Sequence, residues 1–442
     1  KKAKIKKRKE EKKDQWISHI EEITGMKYEG KQRQAIETAL TQHVMILTGG
    51  PGTGKTTTLK AIIHLLREQG DRVLLAAPTG RAAKRMSELT GEEASTIHRL
   101  LEVQWDEDDA PYFERNAYNP LEADAVILDE VSMVDSLLFS SFLDALPAQC
   151  RLIMVGDTNQ LPPVGAGNVL GDLIDSEVVP TIQLNHVFRQ ALQSRIVTNA
   201  HKVVSGQLPE FVGVDSDFFL IPCSDTQATL ETILDVCSKR LPAKYGMNIF
   251  EGIQVISPGK KGKLGTEDLN TYLQDICNPE DRSKPEWTIN GKTFRTGDKV
   301  MQMRNNYNIE WFKMDGKQGT GIFNGDIGTI VEIQKRNDFL VVRFDDDREA
   351  TYSHEDAEDL DLAYAITVHK SQGSEFEIVV LSLFDVPKML CYRNLFYTAI
   401  TRAKKLLVIV GNKAIVGQMV QNDKKTKRYS AVKQFILELK GD

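Results

Sequence analysis

Gly49-Gly50-Pro51-Gly52-Thr53-Gly54-Lys55-Thr56 stands between a short apolar run, Val44-Met45-Ile46-Leu47, and a helical pattern that starts at Lys55. The octet satisfies G-x-x-x-x-G-K-[ST] in the order strand, glycine turn, helix that its chemistry requires. The glycines let successive backbone N–H groups turn inward around a β-phosphate. Lys55 supplies a point charge to the β/γ oxygens, Thr56 offers its hydroxyl to Mg²⁺, and the helix N-terminus adds a positive dipole end. Gly49, Gly50, Pro51, Gly52, Thr53, Gly54, Lys55, Thr56 and Thr57 are therefore the candidate nucleotide cradle, with ATP and Mg²⁺ the ligands it implies.

Outward from the cradle, Gln32, Ala35, Ile36, Ala39 and Leu40 recur at helical spacing. Further apolar runs follow at Val73-Leu74-Leu75-Ala76-Ala77, Ala125-Val126-Ile127-Leu128 and Leu152-Ile153-Met154-Val155, with helical stretches between them. Short apolar strands alternating with helices predict an α/β fold with a parallel sheet. The alternation resumes at residues 252–257, 377–383 and 406–410, which predicts a second α/β core. From 287 to 352 the texture changes to short β-rich runs broken by turns such as Asn324-Gly325-Asp326, the pattern of a small inserted β-barrel. Residues 101–122, acidic and aromatic, form another insertion between a helix and a strand. The expected division is a basic linker stub at 1–24, a first core at 25–185 with the insertion 101–122, a second core at 186–286 and 356–442, and the barrel at 287–355.

A chain of 442 residues with 41% hydrophobic content is too long for one ordinary core, in agreement with this division. The 56 basic and 62 acidic residues give a formal charge of −6, which argues against a uniformly basic surface coating nucleic acid. Residues 1–13 hold nine Lys/Arg against Glu10 and Glu11, a local +7, so the rest of the chain carries −6 − 7 = −13. The five cysteines form no CxxC pair and are odd in number, which fits neither a disulfide framework nor a zinc module and points to a reducing, cytoplasmic setting. No apolar run approaches the roughly 18–20 residues of a membrane span. The start at Lys1 is expected to reflect a processed or truncated product.

A phosphate cradle needs an acidic element for the metal and the attacking water. Asp129-Glu130 ends the apolar run Ala125-Val126-Ile127-Leu128, which puts both carboxylates at a strand's C-terminal edge in an open parallel sheet. Asp129 is the candidate for holding Mg²⁺ through water, and Glu130 the candidate base that orients or deprotonates the water attacking the γ-phosphate.

With these residues in view the chain resembles superfamily 1 DNA helicases, in particular the RecD-like/TraA-like branch that moves 5′ to 3′ on single strands. Asp129-Glu130-Val131-Ser132-Met133 and Gly156-Asp157-Thr158-Asn159-Gln160-Leu161-Pro162-Pro163-Val164-Gly165 are similar to motifs II and III. Lys31-Gln32-Arg33-Gln34 resembles the Q motif, Ala77-Pro78-Thr79-Gly80-Arg81 motif Ia, Ser95-Thr96-Ile97-His98-Arg99 motif Ib and Val187-Phe188-Arg189-Gln190 motif IV. The stretch from Ala363 through Thr367-Val368-His369-Lys370-Ser371-Gln372-Gly373-Ser374-Glu375 resembles motif V, and Tyr397-Thr398-Ala399-Ile400-Thr401-Arg402-Ala403 motif VI. The ordered set spans residues 28–411.

The resemblance implies two RecA-like P-loop NTPase cores, an SH3-like barrel and a β-hairpin acting as a separation pin at residues 101–122. It implies that Gln32 reads adenine and that Gly373 and Glu375 join the nucleotide set. Arg189 and Arg402 become arginine fingers for a nucleotide held between the cores, and Gln160 a γ-phosphate sensor. Pro78, Thr79, Gly80, His98, Thr367, His369 and Gln372 become DNA contacts. Tyr307, Trp311, Phe312 and Phe323 are candidates for base stacking or for barrel packing. At the hairpin the four acids 106–109 repel phosphates, so Tyr112 or Phe113 is better suited to a duplex junction. Longer members of the family carry a helix-hairpin-helix region ahead of the motor, of which the basic lead would be the edge.

The function expected is an ATP-dependent 5′-to-3′ DNA helicase and single-strand translocase of repair or recombination. Its partners would be single-stranded DNA and single-strand/duplex junctions, its form a monomeric motor open to repair-protein partners. An RNA-remodelling helicase and an ATP-switched accessory subunit without unwinding are the alternatives. No intrinsic nuclease is expected: the sequence shows no separate metal-nuclease carboxylate cluster, and Asp298-Lys299 reads as the start of a barrel strand. A motor that releases its track every cycle needs only local positive charge, so a net −6 is compatible with a weak, salt-dependent grip.

Overall fold

The structure, a computed structural model, describes residues 15–105, 111–189, 191–211, 216–423 and 430–441. The basic lead 1–13 and the acids 106–109 lie outside the described residues. The chain divides into two compact units, one of Lys1–Pro78, Ala82–Gln193 and Thr426–Asp442, the other of Thr79–Arg81 and Ser194–Lys425.

The first unit is built on a six-stranded parallel sheet. Its strands are β1 (Val44–Gly49), β2 (Val73–Ala77), β3 (Ala94–Thr96), β6 (Ala125–Leu128), β7 (Arg151–Gly156) and β8 (Thr181–Leu184), in the order β3-β2-β6-β7-β1-β8. The apolar runs are nearly unbroken because helices cover both faces of the sheet. Successive side chains point to opposite faces. Met45, Leu47, Ile127, Ile153 and Val155 join one core with Ile36, Leu59 and Ile62 from the helices Gly30–Thr41 and Lys55–Glu68. Ile46, Val126, Leu128, Leu152 and Met154 join the opposite core with Phe139 and Phe142 from the helix Ser136–Asp144. Truncating a central member such as Ile127, fully buried, is expected to cost ~2–5 kcal/mol through lost transfer energy and the cavity left behind. Strands β4 (Val103–Trp105) and β5 (Pro111–Phe113) pair antiparallel, the short hairpin expected within 101–122.

The second unit holds a five-stranded parallel sheet of β9 (Phe218–Pro222), β10 (Ile253–Ser257), β20 (Ala365–Thr367), β21 (Phe376–Leu383) and β22 (Ala403–Gly411), in the order β20-β10-β21-β22-β9. Between β10 and β20 the chain forms a hairpin, β11 (Glu286–Ile289) with β12 (Lys292–Arg295), and a seven-stranded antiparallel sheet. That sheet comprises β13 (Lys299–Gln302), β14 (Asn306–Phe312), β15 (Gln318–Ile322), β16 (Ile327–Gln334), β17 (Phe339–Phe344), β18 (Glu349–Ser353) and β19 (Leu360–Leu362). It encloses its own core of Phe294, Ile330, Leu340, Val342, Tyr352 and Leu360.

Four boundaries depart from the sequence division. Residues 15–24 are helical, and Ile17 and Ile20 are buried in the first core, so this part of the expected linker is structural. The first unit runs on to Gln193, because the backbone N–H of Phe188 donates to the carbonyl of Gly52 and keeps residues 186–189 with the first core instead of the second. The inserted sheet passes residue 355, since β19 pairs antiparallel with β13, Val300 facing Leu362. The helix Val432–Gly441 belongs to the first unit, its Ile436 packed against the core that holds Phe139 and Phe142, instead of to the second core expected over 356–442.

Candidate nucleotide and nucleic-acid site

In the first sheet β7 separates β6 from β1, and the pairings Leu128 with Met154 and Thr48 with Gly156 bring the three C-terminal ends level. The glycine loop, Asp129-Glu130 and the turn carrying Gln160 therefore leave one sheet edge from adjacent strands. This is where open α/β sheets place their ligands.

Gly52 and Gly54 take left-handed φ values of 72° and 84°, which bend the loop into the helix Lys55–Glu68. Thr53, 2% exposed, donates its hydroxyl to the carbonyl of Gly50 at 2.9 Å. The Lys55 ammonium lies over the same loop, donating to the carbonyls of Gly49 at 2.5 Å and Gly50 at 3.0 Å. Thr56 and Thr57, in the helix's first turn, are half-buried. Gln32 is 2% exposed: its Nε2 donates to the carbonyl of Gly54 at 3.3 Å and its Oε1 accepts from the backbone N–H of Glu29 at 3.0 Å. The residue expected to read adenine thus ties the end of the loop to the N-terminus of its own helix, one end of the amide on each.

Asp129 accepts the backbone N–H of Glu130 at 2.8 Å. Burial pushes its carboxyl pKa above the ordinary range, opposed by that hydrogen bond and by the charges of Arg85 and Lys55. Glu130 stands at φ 52°, ψ 39°, left-handed for a residue with a Cβ, with Arg85 at 4.0 Å from its carboxylate. Non-glycine residues held there cluster at functional sites. Gln160 lies in the turn after β7, its N–H donating to the carbonyl of the buried Asp157.

Mg²⁺ takes few protein oxygens and completes its shell with waters and phosphates, so one hydroxyl and one carboxylate suffice. Thr56 and a desolvated Asp129 sharing the field of Lys55 fit such an ion. No group of three or more Asp, Glu, His or Cys able to hold a metal occurs among the described residues.

Two residues of this edge escaped the sequence reading. Arg85, on the helix Gly80–Thr90, stands beside the acidic pair through a long-range contact that no local pattern announces. Phe188 sits on the glycine loop: a Cβ added at Gly54 would lie 2.7 Å from its ring and 2.5 Å from the Gln32 amide. Its position beside Arg189 in Val187-Phe188-Arg189-Gln190 was the available signal. Arg189 follows, exposed.

Of the remaining candidates, Pro78 and His98 fall in the first unit, and Thr79, Gly80, Thr367, His369, Gln372, Gly373, Glu375 and Arg402 in the second. Pro78 and Thr79 follow β2, Gly80 opens the next helix, and His98 lies on the short helix Ile97–Leu100 after β3. The His98 ring centroid is 5.9 Å from that of Phe113; burial lowers its pKa, with Asp135 acting the other way. In the second unit the loop after β20 carries His369, Gln372, Gly373 at φ 71° and Glu375. Thr367, which ends β20, accepts the N–H of Lys370 at 3.3 Å. Arg402 is 2% exposed, its guanidinium donating to the carbonyls of Thr398 at 3.0 Å and Ser374 at 2.9 Å and to the Thr401 hydroxyl. The expected finger is thus folded inward, tying the motif V loop to the helix Arg393–Ile400. On the inserted sheet Tyr307 packs edge-on against Phe323 and Trp311 sits under the Arg348 guanidinium, whereas Phe312 is half exposed. Tyr112 of the hairpin is exposed.

Three family models match: an AAA domain over residues 32–166, the SH3 domain of ATP-dependent RecD-like DNA helicases over 269–344, and a UvrD-like helicase C-terminal domain over 362–410. The ATP-dependent RecD2 DNA helicase of Deinococcus radiodurans is 36% identical over 400 residues, which cover 90% of this chain and 51% of that protein. The RecD subunit of the RecBCD enzyme from Mycolicibacterium smegmatis is 29% identical over 92% of this chain and 74% of its own length. The chain thus spans about half the length of the first of these relatives. In fold it is similar to a Bacteroides Pif1 helicase crystallised with ADP-AlF3 and single-stranded DNA, with a TM-score of 0.52 at 19% identity, covering 94% of this chain and 98% of that one. The matching models and the 36% identical relative agree with the two parallel sheets and the SH3-like insertion: the chain is similar to the RecD-like DNA helicases.

Proposed function

We propose that this chain is the motor of an ATP-dependent 5′-to-3′ DNA helicase and single-strand translocase of repair or recombination. The observation that carries the reading is the edge formed by β6, β7 and β1, where Lys55, the Asp129-Glu130 pair and Gln160 leave adjacent strand ends. The names of the relatives, a RecD2 DNA helicase and a RecD subunit, support a DNA track.

The glycine loop and Lys55 hold the β/γ phosphates, with Lys55 exchanging its two carbonyl partners for phosphate oxygens. Thr56 and Asp129 would hold Mg²⁺, which would neutralise phosphate charge when bound. Glu130 takes the proton of the attacking water. Arg189 and Arg402 answer the charge that builds on the transferring group, and for Arg402 this requires release of the Thr398 and Ser374 carbonyls. Gln160 reports the γ-phosphate. Pro78, Thr79, Gly80, His98, Thr367, His369 and Gln372 grip the strand, and the SH3-like domain assists them. Gly373 and Glu375 complete the nucleotide set.

Matched duplexes bearing only a 5′ or only a 3′ single-stranded tail test the reading. Opening of the 5′-tailed substrate with ATP is expected, and opening of the 3′-tailed substrate alone would refute the polarity. Lys55→Ala is expected to abolish ATP hydrolysis while leaving DNA binding measurable; an active Lys55→Ala enzyme would sink the assignment of the cradle.

A further inference from the structure

Asp298 immediately precedes β13, the first strand of the inserted sheet, and its side chain is fully buried. Its four hydrogen bonds all come from donors. Oδ1 accepts from Asn278 Nδ2 and from the Tyr364 hydroxyl, each at 2.8 Å, and Oδ2 from Gln274 Nε2 and the backbone N–H of Arg295, each at 2.6 Å. Two carboxylate oxygens offer about four lone-pair positions, so the group is saturated. A buried carboxylate costs free energy unless its partners are in place, which makes one arrangement of those partners strongly preferred.

The partners lie on both sides of a domain junction. Tyr364 directly precedes β20 of the parallel sheet, three positions before Thr367, and its ring packs edge-on against Phe250. Asn270 fixes the same backbone, donating to the carbonyls of Leu362 and Ala365 and accepting the N–H of Ala365 at 2.8 Å. At the other end of this loop Lys370 donates to the side chain of Asn324 at 2.7 Å and to the carbonyl of Met303 at 3.4 Å, both in the inserted domain. Residues 364–370 are therefore bonded to the SH3-like domain at their first and last members. Next to Asp298, the buried Lys299 ammonium donates to the carbonyls of Ile249 and Ile253, a third tie between the inserted sheet and β10.

We propose that Asp298 is a positioning residue that locks the loop carrying Thr367 and His369 to the SH3-like domain, so that loop and domain engage and release the strand as one body. This rests on the helicase reading above. Asp298, fully buried and saturated by protein donors, acts through Tyr364, while the Lys370–Asn324 contact secures the far end.

The test uses the whole chain and two mild variants, Tyr364→Phe, which removes one hydroxyl from a buried ring, and Asn324→Ala, which removes the acceptor of Lys370 without touching its charge. ATP turnover without DNA is expected to match the parent, while the thermal midpoint of Tyr364→Phe falls by a few degrees because a buried acceptor loses a donor. Duplex opened per ATP hydrolysed on a 5′-tailed substrate is expected to fall about tenfold for Tyr364→Phe, the scale of one hydrogen bond to a charged group, and less for Asn324→Ala. Asp298→Asn, whose amide would confront two of the donors, is expected to show the same split more strongly. A parent that opens duplex beside a Tyr364→Phe chain with equal yield per ATP overturns the lock and leaves the helicase reading standing. Loss of DNA-free turnover in a Tyr364→Phe chain that still melts cooperatively above the assay temperature also overturns it. A parent with no DNA-stimulated turnover overturns both.

Discussion

Replacing Gly54 by alanine probes whether the glycine loop is held by its neighbours as tightly as the geometry requires. Gly54 has φ 84°, and a methyl group there would stand 2.5 Å from Gln32 Nε2 and 2.7 Å from Phe188 Cε2. Neither neighbour yields freely: Gln32 is 2% exposed with both ends of its amide bonded, and the Phe188 backbone is bonded to Gly52. The left-handed backbone costs a residue with a Cβ ~1–2 kcal/mol. Forcing a methylene-sized group into packed surroundings costs ~1–3 kcal/mol more. If the loop relieves this ~2–5 kcal/mol of strain by leaving its phosphate-binding shape, nucleotide affinity falls between about thirtyfold and several thousandfold at ~1.4 kcal/mol per tenfold. Titration with a fluorescent ATP analogue reads the affinity, and a urea midpoint reads the fold. Gly30→Ala is the control, since nothing lies within 4 Å of its added Cβ and its φ is not positive. It is expected to bind as the parent does. Gly54→Ala binding within about threefold of the parent would refute the reasoning, because it would mean that the brace formed by Gln32 and Phe188 moves at little cost.

Glu130→Gln keeps the shape of the side chain and removes its basicity, so ATP turnover is expected to drop ~10²–10⁴-fold with nucleotide binding retained; single-turnover hydrolysis near the parental rate would remove Glu130 from the chemistry. The His98 imidazole has its pKa depressed by burial, with Asp135 acting the other way. The unfolded chain therefore takes up that proton first, so the contribution of neutral His98 is complete above about pH 6.5 and is lost as pH falls through the folded value. Urea midpoints at about pH 7.5 and 5.5 should differ less for His98→Gln than for the parent, and an equal difference in the two proteins would contradict this assignment.

What the sequence disclosed and what it withheld follow from the range of the forces involved. The runs around Ile46, Ile127 and Ile153 announced buried parallel strands because both faces of each are covered, which leaves no polar alternation to confuse the period. The glycine loop was equally legible, since strand, turn and helix are contiguous and their chemistry is local. Strands β13 to β18 gave a barrel-like texture, but β19 was missed because three residues carry too little pattern and its partner Val300 is far upstream. Ile17 and Ile20 lie in the segment expected as a linker and Ile436 in the part expected in the second core, yet all three pack on the first core, most of whose other members are distant in sequence.

Polar side chains were the least legible, because the residue type tells what a group can bond but not which partner arrives. Gln32 and Arg402 are expected to face a nucleotide, and the structure adds the protein partners that no pattern announces, Gly54 for Gln32 and Ser374 and Thr398 for Arg402. Asp298 is the sharpest case. Read beside Lys299 it was only a strand start, yet its partners at 274, 278, 295 and 364 converge from as many as 66 positions away. A saturated buried carboxylate demands all of those donors at once, whereas a solvated strand start demands none. The two readings of one aspartate therefore differ in the cost of a single hydroxyl at position 364, which is why Tyr364→Phe separates them.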